Sequence, residues 1–178
     1  MLSRDLTGAA RPGILAAMSS QRLWAPWRMS YVQGERKHEG CIFCLAAEPG
    51  DDDARHVVSR GERCVVMLNA FPYNSGHLMV APRRHVASIE DLGDEELLEL
   101  MTLTQRALRA LREAYGPDGF NLGVNLGTIA GAGFADHVHF HVVPRWAADS
   151  NFMAVTADTR VLPQSLEDSL ARLRARFS

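Results

Sequence analysis

The composition describes a globular chain without a strong charge bias. Of its 178 residues, 47% are hydrophobic, and 19 Lys and Arg residues nearly balance 21 Asp and Glu residues. These values suit a single folded domain and exclude a general binder of nucleic acid or membrane surfaces, which would need a marked excess of positive charge. No apolar run approaches the roughly 20 residues that a membrane-spanning helix needs.

The N-terminal region differs from the rest. Residues 1–20 lack a periodic apolar pattern, so we expect a disordered extension, followed by one domain over 21–178 with its core at 41–146. The large apolar groups Trp24 and Trp27 are expected to pack or to form an interface. Three cysteines, two of them in a Cys41-x-x-Cys44 pair, do not make a disulfide framework, and they predict a reducing cytoplasm.

The order of predicted elements indicates an α+β fold with an antiparallel sheet, because strands and helices are segregated rather than alternating. Alternation and turn residues predict strands at Arg55–Ser59, Cys64–Asn69, His77–Ala81 and Phe120–Leu126. Leucines at three- or four-residue spacing predict a long helix over Asp94–Tyr115, and a second amphipathic helix follows Pro163.

A row of histidines, His-Val-His-Phe-His-Val-Val at 137–143, is the most informative feature. Strict alternation predicts a strand, since successive strand side chains point to opposite faces. One face would carry the valines and the phenylalanine; the other would carry His137, His139 and His141. A half-buried strand with histidines facing water is the alternative, but packing seldom explains such a row.

The glycine-rich loop Gly127–Gly133 directly precedes this row and indicates phosphate chemistry. Such a loop lets backbone N–H groups approach an anion closely. A neutral imidazole can attack phosphorus without adding negative charge, and a second can protonate the leaving oxygen.

With these motifs the chain resembles the histidine triad (HIT) superfamily. Supporting segments follow in the family's order, from Cys41 to Arg145: Asn69, Ser75-Gly76-His77, Pro82-Arg83-Arg84-His85 and Val124-Asn125. The flanking segments 22–28 and 143–146 are similar to the bacterial diadenosine tetraphosphate phosphorylase and hydrolase branch.

The resemblance implies an enzyme with a five-stranded antiparallel sheet that works as a homodimer, formed through the helix and a sheet edge. It would cleave dinucleoside polyphosphates, such as diadenosine tetraphosphate, at the α-phosphate through a covalent nucleotidyl-histidine. Water or phosphate would be the acceptor, and no organic cofactor, nucleic acid or membrane would take part.

The resemblance also implies roles for individual residues. His139 would be the nucleophile, His141 would contact the phosphate and assist the leaving group, and His77 would orient them. The substrate-binding set would be Ile42 and Phe43 beside the base, Asn69 at the ribose, and Asn125, Gly131, Gly133 and Phe134 around the phosphates. Gly133 departs from the pattern, because many members carry Gln or Ser there.

The cysteine pair has metal-knuckle spacing but forms only half a site. The resemblance implies a structural zinc bound by Cys41, Cys44, His85 and His137. A redox pair, which would want a βαβ context, and two ordinary buried thiols are the alternatives. Cys64 is expected in the core, and His38 and His56 at the surface.

Other functions stay open. The three strand histidines could bind a catalytic zinc that activates water, although no carboxylate general base accompanies them. The chain could also be a nucleoside phosphoramidate hydrolase of the adenosine monophosphate-amidase type, or a nucleotide-binding sensor with weak turnover.

Overall fold

The computed structural model describes residues 40–147, 149 and 164–177. Predictions for the N-terminal extension, Trp24, Trp27, His38 and Pro163 therefore lie outside the described residues. The helices are α1 (Ile42–Ala47), α2 (Asp94–Tyr115) and α3 (Leu166–Arg174), and the strands are β1 (Val57–Arg60), β2 (Cys64–Leu68), β3 (Leu78–Pro82), β4 (Gly119–Val124) and β5 (Phe140–Arg145).

The strands form one antiparallel sheet in the order β1-β2-β3-β5-β4. This confirms the predicted α+β class with a five-stranded sheet, one long helix and a C-terminal helix. One row of directly opposed residues crosses four of the strands, from Val57 through Met67 and Met79 to His141. Residues in such a row share a face of the sheet.

Each face of the sheet has its own apolar cluster. The larger one joins alternate strand residues such as Val66, Val80 and Val142 to the buried face of α2 and to Leu173 of α3. The smaller one lies on the opposite face, where Phe43 of α1 packs over the row just described. The histidines that the alternation assigns to the non-core face therefore lie beneath α1.

Helix α2 has the predicted bounds because both of its ends are marked by local chemistry. At its start, the backbone N–H of Gly93 donates to the Glu96 carboxylate over 2.9 Å, and acidic residues fill the first turn. At its end, Gly116 takes a left-handed conformation with φ of 54°. Among the described helices, none is long and apolar enough to cross a membrane.

Two local predictions were wrong. The histidine strand begins only at Phe140, because the Val138 N–H donates to the carbonyl of Val86, outside the sheet, over 2.7 Å. His137 and His139 therefore lie just before β5. His56 is half-buried rather than on the surface, since the turn before β1 folds it against a pocket.

Candidate active site and metal centre

A cavity of about 360 Å³ lies on the α1 face of the sheet, enclosed by α1, the turn before β1, the end of β2 and the glycine-rich loop. Met67 and Met79 of the cross-sheet row contribute to its wall. Predicted site residues that line it are Ile42, Phe43, Asn69, Gly131, Gly133, Phe134, His139 and His141. Asn125 and His77 are not among the lining residues.

His139 has a defined tautomer. Its Nδ1 lies 2.9 Å from the carbonyl oxygen of His137, and because a carbonyl only accepts, Nδ1 must carry the proton. The lone pair of the neutral ring is then on Nε2. Burial lowers the pKa of His139, although the hydrogen bond to His137 opposes the effect, so the neutral ring is favoured. The imidazole stacks on Phe43 with ring centroids 4.5 Å apart, which fixes its plane.

A hydrogen-bonded chain fixes the tautomer of His141 in the same way. The backbone N–H of Tyr73 donates to Nδ1 of His77 over 3.2 Å, so the neutral His77 ring carries its proton on Nε2. That Nε2 lies 3.0 Å from Nδ1 of His141 and donates to it. The proton of a neutral His141 ring is then on Nε2. The rings of His139 and His141 are adjacent, with centroids 4.9 Å apart.

The turn that carries His77 is tied to the end of β5. The Asn74 amide, which is buried, donates to the carbonyl of Pro144 and to the Asp149 carboxylate, each over 2.9 Å. Gly76 has φ of +80°, and a Cβ there would lie 2.9 Å from the side chains of Leu111 and Tyr115. Only glycine suits this position, which explains the predicted turn.

A second cluster lies beside the pocket and joins two thiols to two imidazoles. Nδ1 of His137 is 3.2 Å from Sγ of Cys41, 3.6 Å from Sγ of Cys44 and 3.2 Å from Nδ1 of His85. The Cys44 sulfur is 3.3 Å from that same His85 nitrogen. A tetrahedral zinc with bonds of about 2.0–2.3 Å would separate its ligand atoms by about 3.3–3.8 Å. The four residues therefore fit a metal ion, and they are the set that the family resemblance implied.

The tautomer of His137 agrees with this fit. Its Nε2 lies 2.9 Å from the carbonyl of Pro82 and donates to it, which leaves the Nδ1 lone pair facing the thiols. Burial, followed by the hydrogen bond with Cys41, raises the pKa of Cys44 to about 11. A bound divalent cation would reverse that trend, since a coordinated thiol is deprotonated. Of the three triad histidines, His137 alone belongs to this cluster of described residues, which argues against a catalytic metal held by all three.

Helix α1 connects the two sites and is held at both ends. Cys41, the N-cap residue directly before α1, belongs to the metal cluster. The C-terminal carbonyls of the helix accept from arginines: Arg55 Nη1 donates to Leu45 over 2.7 Å, and Arg60 Nε to Ala46 over 2.8 Å. This arrangement keeps Phe43 against His139.

Several site residues were not foreseen from the sequence. Tyr73 and His56 line the pocket, and Tyr73 also sets the tautomer of His77 through its backbone. A backbone donor leaves no mark in a residue pattern. The turn residues around Tyr73 were the only available signal. Cys64 is fully buried in the core, as expected, and burial raises its pKa to about 12.

Comparison with known proteins gives a consistent result. Residues 52–148 match the HIT domain family. The chain is 44% identical over 156 residues to the AP-4-A phosphorylase of Mycobacterium tuberculosis, covering 84% of this chain and 80% of that protein. It is 32% identical over 105 residues to the adenosine 5'-monophosphoramidase of Schizosaccharomyces pombe, covering 59% of this chain and 74% of that protein.

Among solved structures, a zinc-bound histidine triad family protein from Mycobacterium smegmatis aligns with a TM-score of 0.61 and 27% identity. The alignment covers 78% of this chain and 93% of that one.

Proposed function

The chain belongs to the HIT domain family, and we propose that it cleaves dinucleoside polyphosphates by transferring a nucleotidyl group to His139. The observation that carries the proposal is the pair of opposite tautomers. His139 has its lone pair on Nε2, whereas the neighbouring His141 carries its proton on Nε2. A nucleophile needs the first state, and a hydrogen-bond donor to the leaving oxygen needs the second. The similarity to an AP-4-A phosphorylase supports the substrate class.

The first half-reaction uses the two rings in turn. Nε2 of His139 attacks the α-phosphorus, so a P–N bond forms while the P–O bond to the leaving polyphosphate breaks. The Nε2–H of His141 donates a hydrogen bond to the leaving oxygen and keeps its proton, and the polyphosphate departs as an anion. In the second half-reaction an acceptor oxygen attacks the same phosphorus and displaces Nε2 of His139, and the proton that an attacking water loses is released to solvent. Water gives the free nucleoside monophosphate, and inorganic phosphate gives the nucleoside diphosphate.

The remaining predicted residues have supporting roles in this proposal. His77 is a positioning residue, because it reaches the substrate only through His141. Ile42 flanks the base, and Asn69 binds the ribose from the end of β2. Phe43 is fully buried and stacks on His139, so it orients the nucleophile as well as lining the pocket. Asn125 and the backbone from Gly131 to Phe134 bind the phosphates.

The metal is proposed to be zinc, with Cys41, Cys44, His85 and His137 as ligands. Two thiols and two imidazoles form a closed structural set, and the zinc-bound relative supports this choice. When bound, zinc would hold α1 against the segment that precedes β5.

A homodimer is also proposed, with α2 at its interface. Leu97, Leu98 and Met101 on the outer face of α2 are 38%, 70% and 45% exposed. A contiguous apolar patch of this kind is typical of an interface in a chain with no charge bias.

The test is a rapid-quench reaction with diadenosine tetraphosphate labelled at the α-phosphate. We expect an acid-labile, base-stable adduct on the wild-type protein and none on His139→Ala, whose turnover should fall by about 10⁴-fold or more. Chromatography then separates AMP from ADP, with and without phosphate. Full activity of His139→Ala would contradict the proposal.

A second candidate is hydrolysis of nucleoside phosphoramidates, which the 32% identity to an adenosine monophosphoramidase supports. The first half-reaction would be the same, with an amine as the leaving group. The ratio of kcat/KM for adenosine phosphoramidate to that for diadenosine tetraphosphate separates the two candidates.

A further inference from the structure

We propose that His56 determines which nucleobase the protein prefers by contacting that base, an inference that rests on the proposed function. Its residue type and polar neighbours gave no sign of a role in the sequence, yet it lines the same cavity as His139 and His141. Its position, its backbone conformation and the state of its ring each support this assignment.

The position of His56 matches the far end of a bound nucleotide. It immediately precedes Val57, which ends the cross-sheet row that starts at His141. The row crosses three strand spacings of about 4.8 Å, or about 14 Å between backbones. Met67 and Met79 lie between the two ends, and their polarisable side chains suit the face of a sugar or base. A nucleotide with its α-phosphate at His139 would place its base near His56.

The backbone of His56 is strained. Its φ of 54° is the only positive φ of a non-glycine residue among those the structure describes. Left-handed backbone is uncommon for such residues and persists only where the surroundings impose it. Residues of this kind concentrate at functional sites, where a side chain must point in one direction.

The surroundings that impose this conformation come from three elements. The N–H of His56 donates to the backbone carbonyl of Asp53 over 3.1 Å. The carbonyl of His56 accepts from the Leu68 N–H over 2.9 Å. Arg174 of α3 donates to the carbonyl of Val57 from Nε, over 2.8 Å, and from Nη2, over 2.6 Å. It also forms an ion pair with Asp53. The C-terminal helix thus fixes the turn that presents His56.

The imidazole itself has capacity for a ligand. Among the residues that the structure describes, the ring of His56 takes part in no hydrogen bond or ring contact. One ring nitrogen can donate and the other accept, which matches the edge of a base. Nη1 of the neighbouring Arg55 is occupied by the carbonyls of Leu45 and Glu48. Ile42 and Leu45 offer apolar contact, which does not distinguish one base from another.

The test compares nucleotide binding by the wild-type protein, His56→Gly and His56→Asn. Calorimetry gives the dissociation constants of AMP, GMP, CMP and UMP without requiring turnover. For His56→Gly we expect weaker binding of the preferred nucleotide by about three- to tenfold, as for one lost hydrogen bond, and a smaller change for the others. Its melting temperature should not fall, because glycine accepts the left-handed backbone. Asparagine tolerates that backbone and has a donor and an acceptor, so it should restore part of the preference.

Equal weakening for all four nucleotides, or a wild-type protein without any base preference, would overturn the inference. A lower melting temperature of His56→Gly together with equal weakening would assign the residue a structural role and overturn it as well. Base-selective binding without cleavage of any polyphosphate would contradict the proposed function alone.

Discussion

His139 donates its Nδ1 proton to the backbone carbonyl of His137 over 2.9 Å, and the ring of His137 belongs to the metal cluster. His137 therefore serves both sites. Its side chain is one of the four candidate metal ligands, and its carbonyl sets the tautomer of the proposed nucleophile. Phe43 reinforces the link, because its ring lies 5.1 Å from His137 and 4.5 Å from His139. A metal held by this cluster would support catalysis through position alone.

Loss of a metal ligand should consequently lower stability and slow the reaction without abolishing it. For Cys44→Ser we expect loss of bound zinc, a lower melting temperature and a fall in kcat of about 10- to 100-fold, since the carbonyl of His137 is no longer held. Metal analysis, calorimetry and steady-state kinetics on the same preparation provide the measurements.

Cys64→Ala is the matched control, because that thiol is buried in the core rather than in the cluster. It should keep its zinc and its kcat and lose only packing energy, on the order of 1 kcal/mol. A full complement of zinc in Cys44→Ser would contradict the assignment of the ligands.

The elements that could be predicted from the sequence are those whose signals are local. The leucine spacing and flanking glycines of α2 reproduce its bounds, and alternation located the sheet strands to within a few residues. Spacing along the chain likewise indicated Cys41 and Cys44 as half of a metal site. Its other half, His85 and His137, came from the family resemblance, and the structure brings all four together.

Features that depend on distant backbone groups could not be predicted. The start of β5 at Phe140 depends on a bond from Val138 to Val86, and the tautomer of His77 depends on the N–H of Tyr73. The position of His56 depends on Arg174, which is more than a hundred residues away in the chain. None of these partners changes the local residue pattern.

The hydrogen bonds that link Tyr73, His77 and His141 predict that the effect of a His77 substitution on kcat depends on the leaving group. His77→Phe removes the donor to Nδ1 of His141, so the ring no longer keeps its proton on the nitrogen that serves the substrate. We expect kcat for diadenosine tetraphosphate to fall by about 10- to 100-fold, less than the roughly 10²- to 10³-fold loss when His141→Ala removes the donor itself. A nucleotidyl ester of a basic alkyl alcohol, whose leaving oxygen develops a less stable charge than a polyphosphate oxygen, should be affected more.

The double variant His77→Phe/His141→Ala distinguishes positioning from direct action. If His77 acts only through His141, the double variant should be no slower than His141→Ala. Additive losses, or equal losses on both substrates, would show that His77 has a separate role.

Asp149 makes stability depend on pH in the acid range. The hydrogen bond and charge of Arg145 and the hydrogen bond from Asn74 lower its pKa to about 2, against desolvation. A carboxyl whose pKa is lowered on folding stabilises the protein above its unfolded pKa of about 3.9, and that stability is lost as the pH falls toward 2. Since the Arg145 side chain is 45% exposed, we expect about 1–2 kcal/mol after screening.

Asp149→Asn should therefore unfold at lower denaturant concentration than the wild type at pH 6, and the difference should shrink between pH 4 and pH 2. The control is Glu95→Gln, which removes the exposed ion pair with Arg63 and should change stability by less than about 0.5 kcal/mol. If the difference in stability between Asp149→Asn and the wild type stayed unchanged down to pH 2, the ion pair between Asp149 and Arg145 would not carry the effect.

The outer face of α2 predicts how the proposed dimer would be disrupted. Leu98 and Met101 are one turn apart and are 70% and 45% exposed, so a second copy of the chain could cover them. A two-fold interface uses each residue twice, and burying one leucine contributes about 1.5–3 kcal/mol. Leu98→Glu/Met101→Glu should thus raise the dimer dissociation constant by at least about 100-fold. Light scattering across a dilution series measures it, with Ala171→Glu on the exposed face of α3 as the control. A wild-type mass of one chain at every concentration, or an unchanged mass in the double variant, would exclude α2 as the interface.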